Sequence, residues 1–472
     1  PPPPPPPPPF FFLMIRRAPR STPLYSSAAS DVYKRQVAIL LVQTFSIFYS
    51  RRCFYLGSLP ELVDKQAMPK FVSISFALLI YCALTVALVG QDSSIRPFTI
   101  HVEEAVLEDL QDRLKNARFP DQIQNSGWDY GTDKAYLTEL VEYWKNEYDW
   151  RKHEKRLNTL DHFKTEIDGL DIHFIHQRSK HVDALPLVIT HGWPGSVVEF
   201  LNIIGPLTDP EAHGGKAEDA FHVICPSMPG FGFSGKPATP GYSVARVSET
   251  VAKLMARLGY TNYGAQGGDW GSGVTTWLGE NDSEHVAGIH LNFVHVAAPE
   301  EIGDPMAGVP EKDIQRMRMR EEELKDHWAY GDIQRTRPQT LGYGLNDSPV
   351  GLAGWITDKC YIWSDNNGDI ENSFTKDQLL TNIMVYWTTG TITSSTRIYY
   401  ESRRSSWRRG RVEVPTAVAV FPKEIRHPIR KWVETRYNIQ QWTEMPQGGH
   451  FAALEEPELL VEDLRKFFRK LR

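Results

Sequence analysis

The hydrophobic and polar positions follow two different periods along the part of the chain that begins near Ile95. The segment VEEAVLEDLQDRLKNARFPD carries apolar residues at helical spacing until Pro120, and a second helix is predicted near Lys134 to Tyr148. The apolar positions of the first helix are Val106, Leu107, Leu110 and Leu114. Apolar and polar residues then alternate in HFKTEIDGLDIHFIH (162–176), where an Asp-Gly pair separates two strand-like runs. The pattern therefore predicts two helices followed by a β-hairpin.

Short apolar runs then alternate with segments whose apolar residues have helical spacing. LPLVIT (185–190) and FHVICPS (221–227) are typical of buried strands, helical spacing returns from Val244 to Leu258, and strand character follows at 260–266. Strands that alternate with helices favour a mostly parallel sheet with helices on both faces. The sequence therefore predicts an α/β fold.

The alternation stops between residues 296 and 411. This segment begins with a charged sequence of helical spacing (EKDIQRMRMREEELKDHW) and continues with a sequence that is rich in Trp and Tyr. The pattern indicates an inserted helical domain. The earlier pattern resumes with the strand PTAVAVF (415–421), a helix near His427 to Arg436 and a last helix from Pro457 to Leu471.

The first ninety residues do not fit a folded domain. Residues 1–36 join nine prolines to a sequence that resembles a translated sequencing adapter. Residues 37–67 contain an apolar patch and are interpreted as upstream or disordered sequence, with a first membrane segment as the alternative. Residues 68–90 begin at a methionine, and the twenty residues from Phe71 to Gly90 carry no charge, a length that can span a bilayer. An uncleaved membrane anchor is favoured here, and a long signal peptide is the alternative.

Composition excludes several classes of function. The chain has 472 residues, a net charge of −6 and 23% charged residues, which argues against general disorder and against a nucleic-acid-binding face. Its four cysteines are far apart and show no metal-ligand spacing, so neither a disulfide framework nor a metal site is predicted.

Candidate chemistry begins with QGGDWGS (266–272). Gly267, Asp269 and Gly271 keep the spacing of a nucleophile elbow, the strained strand-to-helix turn of many hydrolases, with Asp in place of Ser. The elbow needs glycines because a Cβ on either side would clash. Taken alone, the motif also fits an ordinary aspartate that caps a helix.

A second motif, HGWPGS (191–196), directly follows the predicted strand at 185–190. A glycine-rich loop in this position can direct backbone N–H groups at developing negative charge, and the candidate donors are the N–H groups of Trp193 and Trp270. The alternative is a plain strand-to-helix turn that contains Pro194 and Gly195.

Two further residues complete a hydrolytic set. His450 lies in GGHFAALEEPE (448–458), and Glu424 follows the strand at 415–421, where the carboxyl ends of strands build a site. The chain order nucleophile, acid, histidine is that of α/β-hydrolases. Together the motifs predict Asp269 as nucleophile, His450 as base and Glu424 as its acidic partner.

The chain from Ile95 onward closely resembles the microsomal-type epoxide hydrolases, including those that act on juvenile hormone in insects. The resemblance rests on DSSIRPF (92–98), HGWPGS, ICPSMPGFGFS (224–234), QGGDWGS, LNDSPVGLAGWI (345–356), LLTNIMVYWTTGTITSS (379–395) and GGHFAALEEPELL (448–460). It implies an α/β-hydrolase core (161–295 and 412–472), a helical cap (296–411) and an N-terminal arm (91–160) that wraps the core.

The resemblance also implies two cap tyrosines that act as acids. They fall on Tyr330 and Tyr399, with the adjacent Tyr400 as the alternative to the second. An apolar epoxide and water are the implied reactants, and no metal or organic cofactor is implied. The implied location is an endoplasmic reticulum (microsomal) membrane, reached through residues 71–90, whereas a cleaved signal would place the protein in the secretory lumen or outside the cell.

Three other functions are alternatives to this one. A haloalkane dehalogenase would need halide-binding groups in place of the tyrosines, a serine esterase needs Ser at position 269, and a silent carrier would not need an intact catalytic set. The natural substrate stays open among xenobiotic, terpenoid and fatty-acid epoxides, and a homo-oligomer is allowed. The cap tryptophans Trp355, Trp363 and Trp387 fit an apolar pocket, although core packing is expected for most of them.

Overall fold

The computed structural model describes residues 93–298, 303–406 and 410–472. The segments predicted as adapter, upstream sequence and membrane anchor or signal (1–36, 37–67 and 68–90) lie outside the described residues. No helix within the described ranges is long and apolar enough to cross a bilayer.

A nine-stranded sheet forms the centre of the fold, in the order β1-β2-β3-β5-β4-β6-β7-β8-β9. The first three strands and β5 pair antiparallel, and all pairs from β5 to β9 are parallel. The predicted mostly parallel sheet is therefore confirmed. The strands are β1 (Arg96–Pro97), β2 (His162–Ile167), β3 (Leu170–Gln177), β4 (Leu185–Thr190), β5 (Phe221–Pro226), β6 (Tyr263–Gly267), β7 (Val286–Leu291), β8 (Val412–Val420) and β9 (Tyr437–Glu444).

Helices cover both faces of this sheet and form the insertion between β7 and β8. Those outside the insertion are α1 (Glu104–Lys115), α2 (Lys134–Asn146), α3 (Trp150–Leu157), α4 (Leu201–Thr208), α5 (Val244–Arg257), α6 (Asp269–Asn281), α13 (Arg430–Val433), α14 (Ala452–Glu455) and α15 (Pro457–Phe468). The insertion, here called the cap, holds α7 (Glu311–Glu323), α8 (Ala329–Thr336), α9 (Pro338–Leu345), α10 (Pro349–Trp363), α11 (Lys376–Thr389) and α12 (Ile392–Ser402). The domain boundaries predicted from the sequence stay predictions.

The predicted hairpin forms between β2 and β3, which pair from His162 opposite Ile175 to Ile167 opposite Leu170. Its two turn residues, Asp168 and Gly169, have φ angles of 53° and 79°. Both values lie in the left-handed region that a tight type I′ hairpin turn requires, which is why an Asp-Gly pair occupies it.

The N-terminal helices pack against the cap. The Tyr143 hydroxyl of α2 donates to the Asp377 carboxylate of α11 at 2.9 Å, and the ring of Trp128 stacks on that of Tyr361 in α10. Since these contacts join segments more than 200 residues apart, the N-terminal arm holds the cap in place over the sheet.

Several local features differ from the sequence prediction. Helix α1 ends at Lys115, before Pro120, and the arm holds an additional helix, α3. The helix predicted near His427 to Arg436 shortens to α13, because the chain turns at Glu434 and begins the edge strand β9 at Tyr437.

Candidate active site

Asp269 sits at a strained turn between β6 and α6. It is the first residue of α6 and has a φ of 47°, a conformation that non-glycine residues rarely adopt. A Cβ at Gly267 would lie 2.3 Å from the carbonyl oxygen of Gly271, and a Cβ at Gly271 would lie 1.9 Å from that of Thr190. The glycines of the motif therefore allow the close approach of strand, helix and neighbouring loop that the elbow needs.

The helix-cap interpretation of Asp269 does not hold. The cap residue of α6 is Gly268, and the Asp269 carboxylate turns away from the helix to accept a hydrogen bond from the Trp193 backbone N–H at 2.8 Å. Its side chain is 15% exposed. The carboxylate is thus presented at the end of the sheet, beside the loop that follows β4.

The loop at 191–196 lies against Asp269 so closely that a Cβ at Gly192 would be 2.3 Å from the Asp269 Cβ and Oδ1. Trp193 N–H already points at the carboxylate, as predicted for one oxyanion donor. Trp270 directly follows Asp269 in the first turn of α6, where backbone N–H groups have no partner within the helix. Their function as a donor pair stays a prediction.

His450 and Glu424 form a buried pair next to Asp269. The Nδ1 of His450 lies 2.5 Å from the Glu424 Oε1, and its Nε2 lies 3.6 Å from the Asp269 Oδ2. Both residues sit in the loops after β8 and β9, where Lys423 pairs with Gly449 as neighbouring strands do. Burial alone would lower the pKa of His450, but the Glu424 charge and the nearby Asp269 carboxylate outweigh it and raise that pKa well above its usual value.

Tyr330 from α8 and Tyr399 from α12 extend from the cap toward the same carboxylate. Their rings lie 6.0 Å apart, and both pack against the Trp193 indole. The Tyr399 hydroxyl is buried beside the Tyr330 hydroxyl and the Trp270 indole N–H, and neither lies in good hydrogen-bond geometry to it. Burial raises the pKa of each tyrosine, further reinforced by the nearby Asp269 charge, so both hydroxyls stay protonated at neutral pH.

The neighbouring Tyr400 points elsewhere. Its ring lies under the Arg404 guanidinium, 3.5 Å from the ring centre, and it does not contribute to the cavity around Asp269. The geometry therefore places Tyr399, and not Tyr400, beside the carboxylate.

A cavity of about 570 Å³ separates cap from core and reaches Asp269, Tyr330 and Tyr399. Its other aromatic lining residues are Trp270, Phe293, Trp328 and Tyr437, and three arginines also face it: Arg335, Arg403 and Arg426. Trp355, Trp363 and Trp387 are not among its lining residues, which agrees with the core packing expected for most of them. The pocket is therefore aromatic near Asp269 and more polar than the sequence suggested.

Sequence reasoning missed three polar residues around the elbow. Gln266 at the end of β6 donates from Nε2 to the Asn292 Oδ1 at 2.7 Å, and Glu199 lies in the short 3-10 helix Val197–Phe200 beside His450 and Asp269. A lone carboxylate in the otherwise apolar VVEFL was the only sequence signal for Glu199. Within the described ranges, no group of three His, Cys, Asp or Glu residues is close enough to hold a metal ion.

A parallel sheet that carries a strained elbow carboxylate, a histidine paired with an acid, and a backbone donor loop defines an α/β-hydrolase. The family model described as "alpha/beta hydrolase fold" matches residues 186–331, and "Epoxide hydrolase N terminus" matches 95–200. The chain belongs to the epoxide hydrolase family, whose activity is the hydrolysis of epoxides to diols.

Several relatives support this membership along most of the chain. Epoxide hydrolase 1 of Oryctolagus cuniculus is 41% identical over 405 residues, which cover 80% of this chain and 89% of the relative. Juvenile hormone epoxide hydrolase 2 of Ctenocephalides felis is 38% identical over 406 residues, covering 80% and 86%. The crystal structure of juvenile hormone epoxide hydrolase from the silkworm Bombyx mori superimposes with a TM-score of 0.75 at 34% identity, covering 81% of this chain and 96% of the silkworm chain.

Proposed function

We propose that this enzyme opens apolar epoxides through a covalent ester on Asp269, which His450 and a water molecule then hydrolyse. The observation that carries the proposal is the position of the Asp269 carboxylate: two buried tyrosine hydroxyls lie on its cap side, and the His450–Glu424 pair lies on its other side. One carboxylate thus has an acid for the first step and a base for the second.

In the first step, an Asp269 oxygen forms a bond to a ring carbon while the C–O bond of the epoxide breaks. The departing oxygen would be a poorly stabilised alkoxide, so Tyr330 and Tyr399 hydrogen-bond to it and one of them gives it a proton. The raised pKa of both tyrosines keeps that proton available at neutral pH. The product of this step is a hydroxyalkyl ester of Asp269.

In the second step, His450 removes a proton from water, and the water oxygen attacks the ester carbonyl carbon. The Trp193 N–H, which already contacts Asp269, and the Trp270 N–H hold the negative charge of the tetrahedral intermediate. The ester bond then breaks, and the departing diol oxygen takes the proton from His450. Asp269 is left as a carboxylic acid, and its proton replaces the one that the tyrosine lost in the first step. A carboxylate nucleophile suits this chemistry because it forms an ester, which water can hydrolyse. A serine nucleophile would instead form an ether, which could not be hydrolysed.

The aromatic lining near Asp269 favours a substrate with an apolar body around the epoxide. Two of the relatives named above act, by their names, on juvenile hormone, a terpenoid epoxide, and the third carries only the name of the activity. Terpenoid and xenobiotic epoxides are therefore the substrate classes that a first panel would compare. A haloalkane dehalogenase gains no support, because paired phenols serve an alkoxide better than a halide.

Replacing Tyr399 by Phe tests the acid assignment. We expect the variant to form the ester about 100-fold more slowly, because general acid assistance is lost. Its thermal stability should change little, because the buried Tyr399 hydroxyl makes no well-formed hydrogen bond within the described residues. Rapid-quench kinetics and thermal unfolding measure the two effects.

Tyr400→Phe is the matched control, since Tyr400 is the next residue of the same helix but stacks on Arg404. This variant should open epoxides at the rate of the unaltered enzyme. Equal rates for Tyr399→Phe and the unaltered enzyme would remove Tyr399 from the mechanism.

We further propose that residues 68–90 anchor the enzyme in the endoplasmic reticulum membrane. The support is the uncharged stretch from Phe71 to Gly90, which matches the thickness of a bilayer core. The full chain should then stay with the membrane pellet after alkaline carbonate extraction. Release into the supernatant with a new N-terminus near Gln91 would instead identify a cleaved signal peptide. A homo-oligomer stays a prediction.

A further inference from the structure

Asp269 separates two cavities that differ in size and in lining. The large one contains both cap tyrosines and does not include His450. A second cavity, of about 20 Å³, is lined by Asp269, His450 and Glu199 and does not include either tyrosine. A space of about 10 to 15 Å³ accommodates one water molecule. The small cavity is therefore large enough for one water molecule and too small for an organic substrate.

The side chain of Glu199 contributes to this small cavity a carboxyl group that no described residue binds by a hydrogen bond. A Cβ at Gly195 would lie 1.2 Å from the Glu199 Oε1, so the missing side chain at 195 makes room for that carboxyl group. Among the described residues, none forms a hydrogen bond with it. Nearby Glu455 contrasts with it, because its two oxygens accept the backbone N–H groups of Asp365 and Phe451 at 2.8 and 2.9 Å.

A carboxyl group in a cavity that forms no hydrogen bond with the surrounding described residues is expected to bind water. The size of the small cavity fits one water molecule as that partner. The same water would lie beside the His450 and Asp269 side chains, which are the two groups of the second step.

We propose that Glu199 holds the water molecule that hydrolyses the Asp269 ester, in a compartment on the opposite side of Asp269 from the substrate. The inference rests on the proposed function, because it requires an ester for that water to attack. Glu199 accepts one hydrogen of the water and His450 accepts the other, which leaves an oxygen lone pair directed at the Asp269 carbonyl carbon.

The charge state of Glu199 agrees with an orienting role. Burial raises the pKa of Glu199 to about 8, so the group is mostly neutral at pH 7. A neutral carboxyl group still accepts a hydrogen bond through its carbonyl oxygen, but it does not compete with His450 for the proton of the water. His450 therefore stays the base, and Glu199 fixes the direction of attack.

Further cavities lie on the arm side of Glu199. Glu199 and Phe451 also line a neighbouring cavity of about 20 Å³, which shares Gln378 and Leu454 with a cleft of about 250 Å³ between the arm and the cap. In the proposed arrangement, the water compartment thus borders the arm side of the site, and the substrate cavity lies on the cap side.

The test measures the two steps separately in single-turnover experiments with an epoxide. We expect Glu199→Met, which keeps the length of the side chain but accepts no hydrogen bond, to hydrolyse the ester about 10- to 100-fold more slowly. Ester formation should change by less than about 2-fold, because the water plays no part in it. Glu199→Gln should recover most of the hydrolysis rate through its amide oxygen.

Two further variants protect the test from a folding artefact. Gly195→Ala leaves Glu199 in the chain but pushes its carboxyl group aside, and it should slow hydrolysis selectively as Glu199→Met does. Glu455→Gln removes a buried carboxyl group that does not line the small cavity, so it should lower the melting temperature and leave the ratio of the two rates unchanged.

Normal ester hydrolysis in Glu199→Met would overturn the inference, and so would an equal slowing of both steps. A failure of the proposed function looks different. In that case no ester would be detected in any variant, including those that retain Glu199.

Discussion

Asp269→Ala is expected to lower diol formation about 10⁴-fold or more, because the nucleophile of the first step is lost and no other group can form the ester. The carboxylate lies in the substrate cavity and is held there by the Trp193 N–H, so its position cannot be taken by a neighbouring side chain. Diol formation from a racemic aromatic epoxide, followed by chromatography, measures the loss.

Asp269→Asn separates chemistry from folding. Asparagine tolerates the positive φ at this position and can still accept the Trp193 hydrogen bond, so the variant should fold as well as the parent and stay inactive. Asp168→Asn is the matched control, since Asp168 is a second aspartate with positive φ but lies in the β2–β3 hairpin. Full turnover by Asp269→Ala, which cannot revert by deamidation, would place the nucleophile elsewhere.

His450→Gln is expected to stop the reaction after its first step. Ring opening needs only Asp269 and the tyrosines, whereas ester hydrolysis needs a base, and its loss should slow that step about 10²- to 10⁴-fold. Intact-protein mass spectrometry should then show an increase equal to the mass of one epoxide. The double variant Asp269→Asn/His450→Gln is the control and should show no increase. An unmodified His450→Gln protein after incubation with a good substrate would contradict the ester mechanism.

The core strands β4, β5 and β8 and the candidate catalytic set could be predicted from short stretches of sequence. β4, β5 and β8 are apolar runs, and the elbow, the Gly-rich loop and the His450 loop each occupy a few adjacent residues. β7 and β9 were missed. Gly288 and His290 interrupt the apolar character of β7, and β9 lies at the sheet edge, where one free side tolerates polar residues such as Gln440.

The environment of the site depends on contacts between distant residues, which the local sequence does not encode. The sequence pattern predicts Glu199 to be one exposed position of an apolar segment. In the structure, the loops that carry Gly195 and Phe451 enclose it from both sides. The lining of the substrate cavity depends on how the cap docks on the core, so Trp328 could not be distinguished from Trp355 by spacing alone. Motifs predict which groups react, whereas long-range packing decides what surrounds them.

The 3.6 Å approach of His450 to Asp269 would couple the two proposed steps. The negative charge of Asp269 helps to raise the pKa of His450, and formation of the proposed ester would remove this charge. Ester formation at the nucleophile would thereby lower the pKa of the base that serves the second half-reaction, while the Glu424 charge continues to raise it.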